Sequence, residues 1–234
     1  MGVELDPIGI LTTCYKEKFG IPRQPNLVRA ARATLAFYPE YAREEAVREL
    51  ERFSHVWLIF LFHKNMGKAS WSPMVRPPRL GGNKKVGVFA SRSPFRPNPV
   101  GLSCVALDRV EMTGTGPVLH LSGVDILDQT PVLDIKPYLP YSDILPSARD
   151  GFADGPPPVR LRVEFSDRAR TQIREREAAH PDLEAVIRGM LENDPRPAYA
   201  TDTDSRKIYG IRIFDVDVRW TVDGDRVVVA ELDA

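Results

Sequence analysis

The stretch FSHVWLIFLFH, residues 53–63, is apolar at every position from 56 to 62. A run of this length is too short to cross a bilayer and is typical of a strand buried on both faces. Similar short runs, separated by loops rich in Gly and Pro, lie at residues 7–13, 85–92, 100–110, 118–125 and 132–135. One helix is predicted between them, at residues 43–52, with Ala46, Val47 and Leu50 on one face. Many short strands with few crossover helices favour a β-barrel or sandwich over a doubly wound sheet.

The pattern changes after ILPSARDGFADGPPP, residues 144–158, whose composition is typical of a linker. A strand is predicted at residues 160–165, and Ser166 is a candidate cap for the helix that follows. Pro181 opens a second helix, and Asp223-Gly224 predicts a hairpin between strands 216–222 and 226–232. The second helix has apolar residues at helical spacing: Leu183, Val186, Ile187, Met190 and Leu191. We therefore expect a mainly β domain at residues 1–143 and a small α+β domain at residues 159–234.

The charges of the chain are unevenly distributed. The formal net charge of the 234 residues is zero, which argues against a uniformly cationic nucleic-acid coat. Residues 52–107 nevertheless contain no Asp or Glu and carry nine cations: Arg52, Lys64, Lys68, Arg76, Arg79, Lys84, Lys85, Arg92 and Arg96. This segregation indicates a local anionic partner, although a solvated basic face would have the same composition.

The cysteines and the start of the chain bear on its compartment. Cys14 and Cys104 are isolated and fit neither a disulfide framework nor a CxxC zinc site. The opening residues MGVELDPIGI lack the basic and apolar regions of a secretory signal. We therefore expect a reduced, cytoplasmic protein that is not embedded in a membrane.

The segment RPPRLGGNKKVGVFASRSPFRPNPVG, residues 76–101, is the most informative. Proline restricts the backbone and glycine allows close approach, so their alternation with arginines predicts stiff loops that position guanidinium groups. Such groups suit phosphates and nucleobase edges. The turn at residues 80–83, LGGN, is by itself better interpreted as a plain turn than as a phosphate loop.

Three further clusters contain candidate binding residues. Arg23 and Gln24 lie between two prolines, and a Gln amide can both donate to and accept from an adenine edge. His63 and Lys64 follow the apolar run; a lone histidine is more often structural than catalytic. The carboxylates of residues 125–134, DILDQTPVLD, can hold a ribose hydroxyl or cap a turn.

Several chemistries lack their motifs. The sequence has no GxGxxG after a strand, no Walker loop, no HExxH and no GxSxG. The four histidines are too scattered for a histidine-based metal site, so no metal is expected. Cys104 lies in an apolar strand and is better interpreted as a packed small residue than as a nucleophile.

Taken together, these segments resemble the TrmO family of S-adenosylmethionine-dependent tRNA (adenine-N(6)-)-methyltransferases. The resemblance is carried by residues 7–9, 15–19, 22–25, 53–55, 76–101 and 134–138, and RPPRLGG with FRPNPVG is its most specific pair. It continues into DPRPAY, residues 194–199, which is typical of the bacterial form with a C-terminal domain.

The resemblance implies a single-sheeted β-barrel, in agreement with the missing GxGxxG, and a homodimer whose cofactor pocket lies close to the partner subunit. It implies methylation of N6 on adenosine 37 of a threonine tRNA, already modified with a threonylcarbamoyl group. It places around S-adenosylmethionine Pro22, Arg23, Gln24, His63, Lys64, Arg92, Leu102, Asp125, Ile126, Leu127 and Asp128. It assigns Arg76, Arg79 and Arg96 to the RNA or the modified base, and Asp134 and Tyr138 to support of the pocket. It does not indicate which group accepts the proton.

Two other functions fit parts of the sequence. A non-catalytic barrel that senses S-adenosylmethionine or an adenine nucleotide would bind its ligand without turnover, but it would not need the extended basic run. An RNA phosphodiesterase would use the arginines and a histidine, but His63 alone is a poor set of general acid and base groups.

Overall fold

The computed structural model describes residues 3–66, 71–153, 155, 161–196 and 207–233. The described N-terminal part contains eight strands: β1 (Gly9–Thr13), β2 (Arg32–Phe37), β3 (His55–Leu61), β4 (Met74–Val75), β5 (Val86–Gly87), β6 (Val100–Thr113), β7 (Gly116–Ser122) and β8 (Thr130–Pro137). Six of them close a barrel in the order β1-β2-β7-β6-β3-β8, and β4 pairs with β5 outside it. All pairings in the barrel are antiparallel. The predicted single-sheeted barrel is confirmed.

Side chains along β3 alternate between the interior and the outer face of the barrel. Val56, Leu58 and Phe60 of β3 point inward and are buried, while their neighbours on the outer face are half-buried. The expectation that this strand is buried on both faces was therefore wrong. A barrel made from one sheet has one interior, so only alternate side chains of β3 reach it.

Three local predictions in the N-terminal part also need correction. Residues 43–52 form two short 3-10 helices, Glu44–Val47 and Leu50–Arg52, separated by Glu49 with φ +67°. A positive φ interrupts any α-helix, so the predicted helix was wrong. The run 85–92 forms only the two residues of β5 and then the 3-10 helix Val88–Ala90. Strand β2, RATLAF, was not predicted, because its alternation of small and polar residues is weak.

The C-terminal part is a small α+β unit. Helix α1 (Pro140–Asp143) precedes it, followed by β9 (Arg162–Phe165), α2 (Asp167–Arg176), α3 (Leu183–Glu192), β10 (Tyr209–Ile213), β11 (Val216–Asp223) and β12 (Arg226–Asp233). Its sheet has the order β10-β11-β12-β9. Ser166 caps α2 as predicted, accepting a hydrogen bond from the Ala169 amide at 3.0 Å. The hairpin is present, but its loop is Gly224 and Asp225, because Asp223 still pairs with Arg226.

The two parts share one continuous hydrophobic core. Tyr15, just after β1, forms a β-bridge with Ile213, and the ring of Phe19 stacks 6.2 Å from that of Trp220. Arg32 and Asp182 form an ion pair at 2.5 Å across the same boundary. Within the predicted linker, residues 144–151 are exposed, whereas 154 and 156–158 lie outside the described residues. The boundary at 144–158 stays a prediction.

None of the helices in the described part of the chain has the length and apolar character needed to span a membrane. No cluster of three or more His, Cys, Asp or Glu side chains in the described ranges is arranged to hold a metal ion.

Candidate functional site

A cavity of about 380 Å³ opens at one end of the barrel. Its volume lies in the range of small-molecule sites. Three loops and two strand ends contribute its walls: the loop after β1, the end of β3, the loop before β6, the start of β6 and the loop after β7. The lining residues are Pro22, Arg23, Gln24, Phe60, Phe62, Ser91, Arg92, Arg96, Val100, Gly101, Leu102, Ser103 and Asp125.

A charge-assisted hydrogen bond joins two of these loops. The Arg92 guanidinium donates to Oε1 of Gln24, which lies 68 residues earlier in the chain. Pro22 and Pro25 restrain the backbone on either side of Gln24. The amide of Gln24 is therefore oriented by a cation, which occupies its acceptor oxygen and leaves its NH2 group as a donor.

A carboxylate forms another part of the cavity wall. Ser103, buried on the inner face of β6, donates its hydroxyl to Oδ1 of Asp125 at 2.6 Å. Burial of the Asp125 carboxyl raises its pKa to about 6, although the Ser103 hydrogen bond and the charge of Arg92 act in the opposite direction. At neutral pH most molecules therefore carry a desolvated negative charge here, which favours a cationic or hydroxyl-bearing ligand.

The rest of the cavity wall consists of apolar side chains and of Arg96, whose guanidinium is bound by backbone carbonyls. The rings of Phe60 and Phe62 meet edge to face at 5.2 Å. Gly101 permits this packing, because a Cβ there would lie 2.3 Å from Cζ of Phe60. Arg96 donates through Nη1 to the carbonyls of Ser91 at 2.6 Å and Val88 at 3.2 Å. Its guanidinium is thus fixed in place.

A second polar group lies beside the cavity, at the start of β8. The Thr130 hydroxyl donates to the Leu127 carbonyl at 2.6 Å and lies 3.3 Å from Nδ1 of His63. Burial, together with the charges of Lys64 and Lys18, lowers the pKa of His63. This histidine is therefore neutral at neutral pH.

Asp128 ties the end of β1 to the same region. Its Oδ1 accepts the Thr13 amide at 2.8 Å, and its Oδ2 pairs with Lys16 at 2.7 Å. The Ile126 carbonyl accepts from the Thr13 hydroxyl at 3.0 Å. These bonds hold the loop that carries Asp125.

A larger cavity of about 480 Å³ lies between the barrel and the C-terminal part. It shares Pro22 and Arg23 with the smaller cavity. Its lining is rich in cations, namely Lys18, Arg23, Arg76 and Arg196. The Asp194 carboxylate binds the Arg196 guanidinium in a bidentate pair, with Nε–Oδ1 at 2.8 Å and Nη2–Oδ2 at 3.0 Å. Of the predicted segment 194–199, only residues 194–196 lie within the described residues.

The predicted cofactor residues divide into two groups. The smaller cavity is lined by Pro22, Arg23, Gln24, Arg92, Leu102 and Asp125. The others lie beside the cavity without lining it: His63, Lys64, Ile126, Leu127 and Asp128. Their binding roles stay predictions.

The predicted substrate residues are more widely spread. Arg96 lines the smaller cavity and Arg76 the larger one, while Arg79 donates to the Gly155 carbonyl at 2.7 Å. Asp134 lies beside Ile59 on the outside of the barrel, paired with Lys136 at 3.0 Å. The Tyr138 ring packs 5.9 Å from that of Trp57. Neither Asp134 nor Tyr138 lines either cavity.

Several lining residues were not predicted: Phe60, Phe62, Ser91, Gly101 and Ser103. For Ser103 the sequence did contain a signal. It occupies an inward position of an otherwise apolar strand, two residues before Val105, and a polar residue there needs a buried partner. That partner is Asp125.

Two family models together match nearly the whole chain. The tRNA-methyltransferase O N-terminal domain matches residues 10–144, and the TrmO C-terminal domain matches residues 158–234. The chain belongs to the TrmO family.

Individual relatives cover more than nine-tenths of the chain. The tRNA (adenine(37)-N6)-methyltransferase of Escherichia coli K12 is 44% identical over 219 residues, which is 94% of this chain and 93% of the relative. A protein of Pseudomonas aeruginosa PAO1, named provisionally as an S-adenosylmethionine-dependent methyltransferase, is 48% identical and covers 92% and 91% of the two chains. The crystal structure of TrmO from P. aeruginosa superposes with a TM-score of 0.84 at 40% identity, covering 100% and 99%.

Proposed function

We propose that this protein transfers a methyl group from S-adenosylmethionine to N6 of adenosine 37 in tRNA. The observation that carries the proposal is the cavity at the end of the barrel, in which Gln24, Arg92 and Asp125 converge in a chain of the TrmO family. Full-length relatives support it, because the E. coli protein is named for this reaction. The cavity lies next to a cationic surface suited to RNA.

The donors and acceptors of the cavity fit S-adenosylmethionine. Gln24 can donate to an adenine edge, and the Asp125 carboxylate suits a ribose hydroxyl or a cationic group. The apolar wall of Phe60 and Phe62 provides a surface for a ring. When bound, S-adenosylmethionine supplies a methyl group on a positively charged sulfur.

We further propose that the residues named from the resemblance act in two sets. Pro22, Gln24, Arg92, Leu102 and Asp125 would hold the cofactor directly, and Arg23 lies where both cavities meet. The residues beside the cavity would hold its walls: His63, Lys64, Ile126, Leu127 and Asp128. The arginines Arg76, Arg79 and Arg96 would bind RNA. Asp134 and Tyr138 would act from the outer face of the barrel, through β3.

The chemistry requires positioning more than a reactive side chain. The protein must hold the acceptor nitrogen in line behind the transferred methyl group, and such alignment can contribute about 7–11 kcal/mol. The guanidinium of Arg96 is suited to this purpose, because two backbone carbonyls already hold it in place.

We propose a threonine tRNA carrying threonylcarbamoyladenosine as the substrate. The group attached to N6 then ends in a carboxylate, and two cations of the larger cavity, Lys18 and Arg23, lie next to the cofactor cavity to receive it. Adenosine 37 lies in a loop, so exposing it costs less than flipping a base out of a duplex.

We also propose a cytoplasmic homodimer. Leu102 lines the cavity and is 55% exposed, and it pairs with Ile59 on the outside of β3, next to Trp57. Apolar side chains in this position would be covered by a second copy, which would place the partner close to the cofactor. Sedimentation at micromolar concentration would detect this dimer, and Leu102→Glu should dissociate it.

The deciding experiment is transfer from labelled S-adenosylmethionine to two tRNA pools, one carrying threonylcarbamoyladenosine and one lacking it. Nucleoside mass spectrometry then identifies the product. Label on the modified nucleoside of the first pool alone is the expected result. Binding of the cofactor without label in either pool would instead support a non-catalytic sensor, and cleaved RNA would support a phosphodiesterase.

A further inference from the structure

Two large aromatic rings lie exposed outside the barrel. Phe89 is 73% exposed and Trp71 is 48% exposed. Their rings stack with centroids 6.4 Å apart and planes inclined by 29°. Phe89 follows β5 and Trp71 precedes β4, and these strands pair, with the Val88 amide donating to the Pro73 carbonyl at 2.9 Å. The two rings are thus placed by a hydrogen-bonded ribbon, and we call them the aromatic pair.

The aromatic pair is connected to the cofactor cavity through one guanidinium. The Cζ atom of Arg96 lies 5.7 Å from the centroid of the Phe89 ring, within cation–π range. Two backbone carbonyls, of Val88 and Ser91, hold this guanidinium, and Arg96 also lines the smaller cavity. Arg96 therefore contacts the exposed ring of Phe89 and also forms part of the cavity wall.

The charge around the aromatic pair favours a polyanion. Residues 52–107 contain no acid, and Lys84, Lys85 and Arg92 are exposed on the segments that flank the pair. Exposed aromatic rings interleaved with cations are typical of surfaces that bind unpaired nucleotides, since bases stack on the rings while cations contact the phosphates. A second protein copy would have to bring acidic groups to the same surface.

We propose that Phe89, extended by Trp71, is a stacking surface for an unpaired nucleobase that flanks the methylated adenosine. This inference rests on the proposed function and names a base-binding subsite beside it. The target base approaches the mouth of the cofactor cavity on one side of Arg96, and a neighbouring base stacks on the Phe89 ring on the other side. The subsite contributes to binding of RNA and does not touch the transferred methyl group.

The test compares RNA affinity, salt dependence and cofactor affinity in the full-length protein. Phe89→Ala should weaken binding of an anticodon stem-loop by about tenfold or more in Kd, the loss of one stacked base. Its slope of log Kd against log salt should match the wild type, because no cation is removed. Kd for S-adenosylmethionine should stay within about twofold. Phe89→Trp should restore RNA affinity, because a ring is again present.

A matched control is Met112→Ala, which removes another exposed apolar side chain, 51% exposed, near the far end of β6. It should leave RNA affinity unchanged. Equal RNA affinity of Phe89→Ala and the wild type would overturn the inference. Dissociation of a dimer by Phe89→Ala, with RNA affinity unchanged, would assign the ring to a contact between copies instead. The proposed function is judged separately, by methyl transfer in the wild type.

Discussion

The guanidinium of Arg92 donates a hydrogen bond to the side-chain oxygen of Gln24, across 68 residues of sequence. It joins the proline-restrained loop after β1 to the arginine-rich loop before β6, the two segments that the sequence marked most clearly. Both side chains line the smaller cavity. The orientation of one therefore depends on the other, and the two are expected to bind a ligand as a unit.

The first prediction concerns this pair. Arg92→Ala should raise Kd for S-adenosylmethionine about 10- to 100-fold, since a hydrogen bond to a charged group contributes about 1.5–3 kcal/mol. Arg92 is exposed, so the melting temperature should change little. Calorimetric titration and a thermal melt measure the two quantities.

The same pair allows a double-mutant cycle. If the two side chains act as a unit, the effects of Arg92→Ala and Gln24→Ala on Kd should be less than additive when combined. Arg92→Lys keeps the charge without the planar fork and should recover only part of the affinity. Strict additivity, or an Arg92→Ala variant with wild-type Kd, would remove this pair from the cofactor site.

The loop residues of the smaller cavity could be predicted from the sequence, whereas most of its strand residues could not. The loops were identified because Pro, Gly and Arg leave a compositional signal. The walls given by Phe60 and Gly101 were not, because strand residues that line a cavity have the same composition as strand residues that fill a core. The two kinds of strand residue can be told apart only in the closed barrel, where the end of β3 lies beside the start of β6.

The second prediction follows from the raised pKa of Asp125. Its carboxyl has a pKa of about 6 in the folded protein against an ordinary 3.8, so between these values the folded state binds more protons than the unfolded state. The free energy of unfolding should then fall as pH rises from about 4 to about 6 and stay lowered above that. Asp125→Asn, which keeps an acceptor for Ser103, should be about 1–3 kcal/mol more stable than wild type at pH 7. The difference should vanish below about pH 4.

Cofactor affinity should change in the opposite direction. Without the carboxylate, Asp125→Asn should bind S-adenosylmethionine more weakly at pH 7. Wild-type affinity should decline as pH falls through about 6, and the variant should show a smaller decline. Denaturant unfolding and calorimetry at several pH values measure both effects. A variant no more stable than wild type at pH 7 would show that desolvation of this carboxyl does not oppose folding.

The third prediction concerns the boundary between the barrel and the C-terminal part. Gly20 has φ +82°, and a Cβ there would lie 2.0 Å from Cδ1 of Ile211 and 2.8 Å from Sδ of Met190. Gly81 has φ +73° with nothing within 4 Å of such a Cβ. Both alanine variants carry the backbone penalty of about 1–2 kcal/mol. Only Gly20→Ala should lose about 1–3 kcal/mol more by overpacking. Equal losses in urea unfolding would mean that this boundary is loosely packed.

The shared core also explains why the domain organisation was only partly visible in the sequence. The helical spacing of α3 and the alternation of β11 indicate which residues are buried, and Leu183, Met190 and Trp220 are indeed buried. They do not indicate what lies against them. Contacts such as Phe19 on Trp220 join residues 201 positions apart, and no local pattern encodes such a distance.

The fourth prediction distinguishes a specific phosphate contact from a general effect of positive charge on tRNA binding. Arg76 is exposed and lines the larger cavity. Arg52 lies in the same acid-free segment, residues 52–107, but it lines neither cavity and pairs with Glu49 at 2.7 Å at the end of a 3-10 helix. Arg76→Ala should weaken tRNA binding and reduce the salt slope by about 1, because one fewer phosphate contact releases one fewer counterion. Arg52→Ala removes the same charge and should leave the slope unchanged. Kd for tRNA, measured from 50 to 200 mM salt, gives the slope for each variant. Equal slopes for the two variants would mean that tRNA binding depends on the net charge of the protein and not on this cavity.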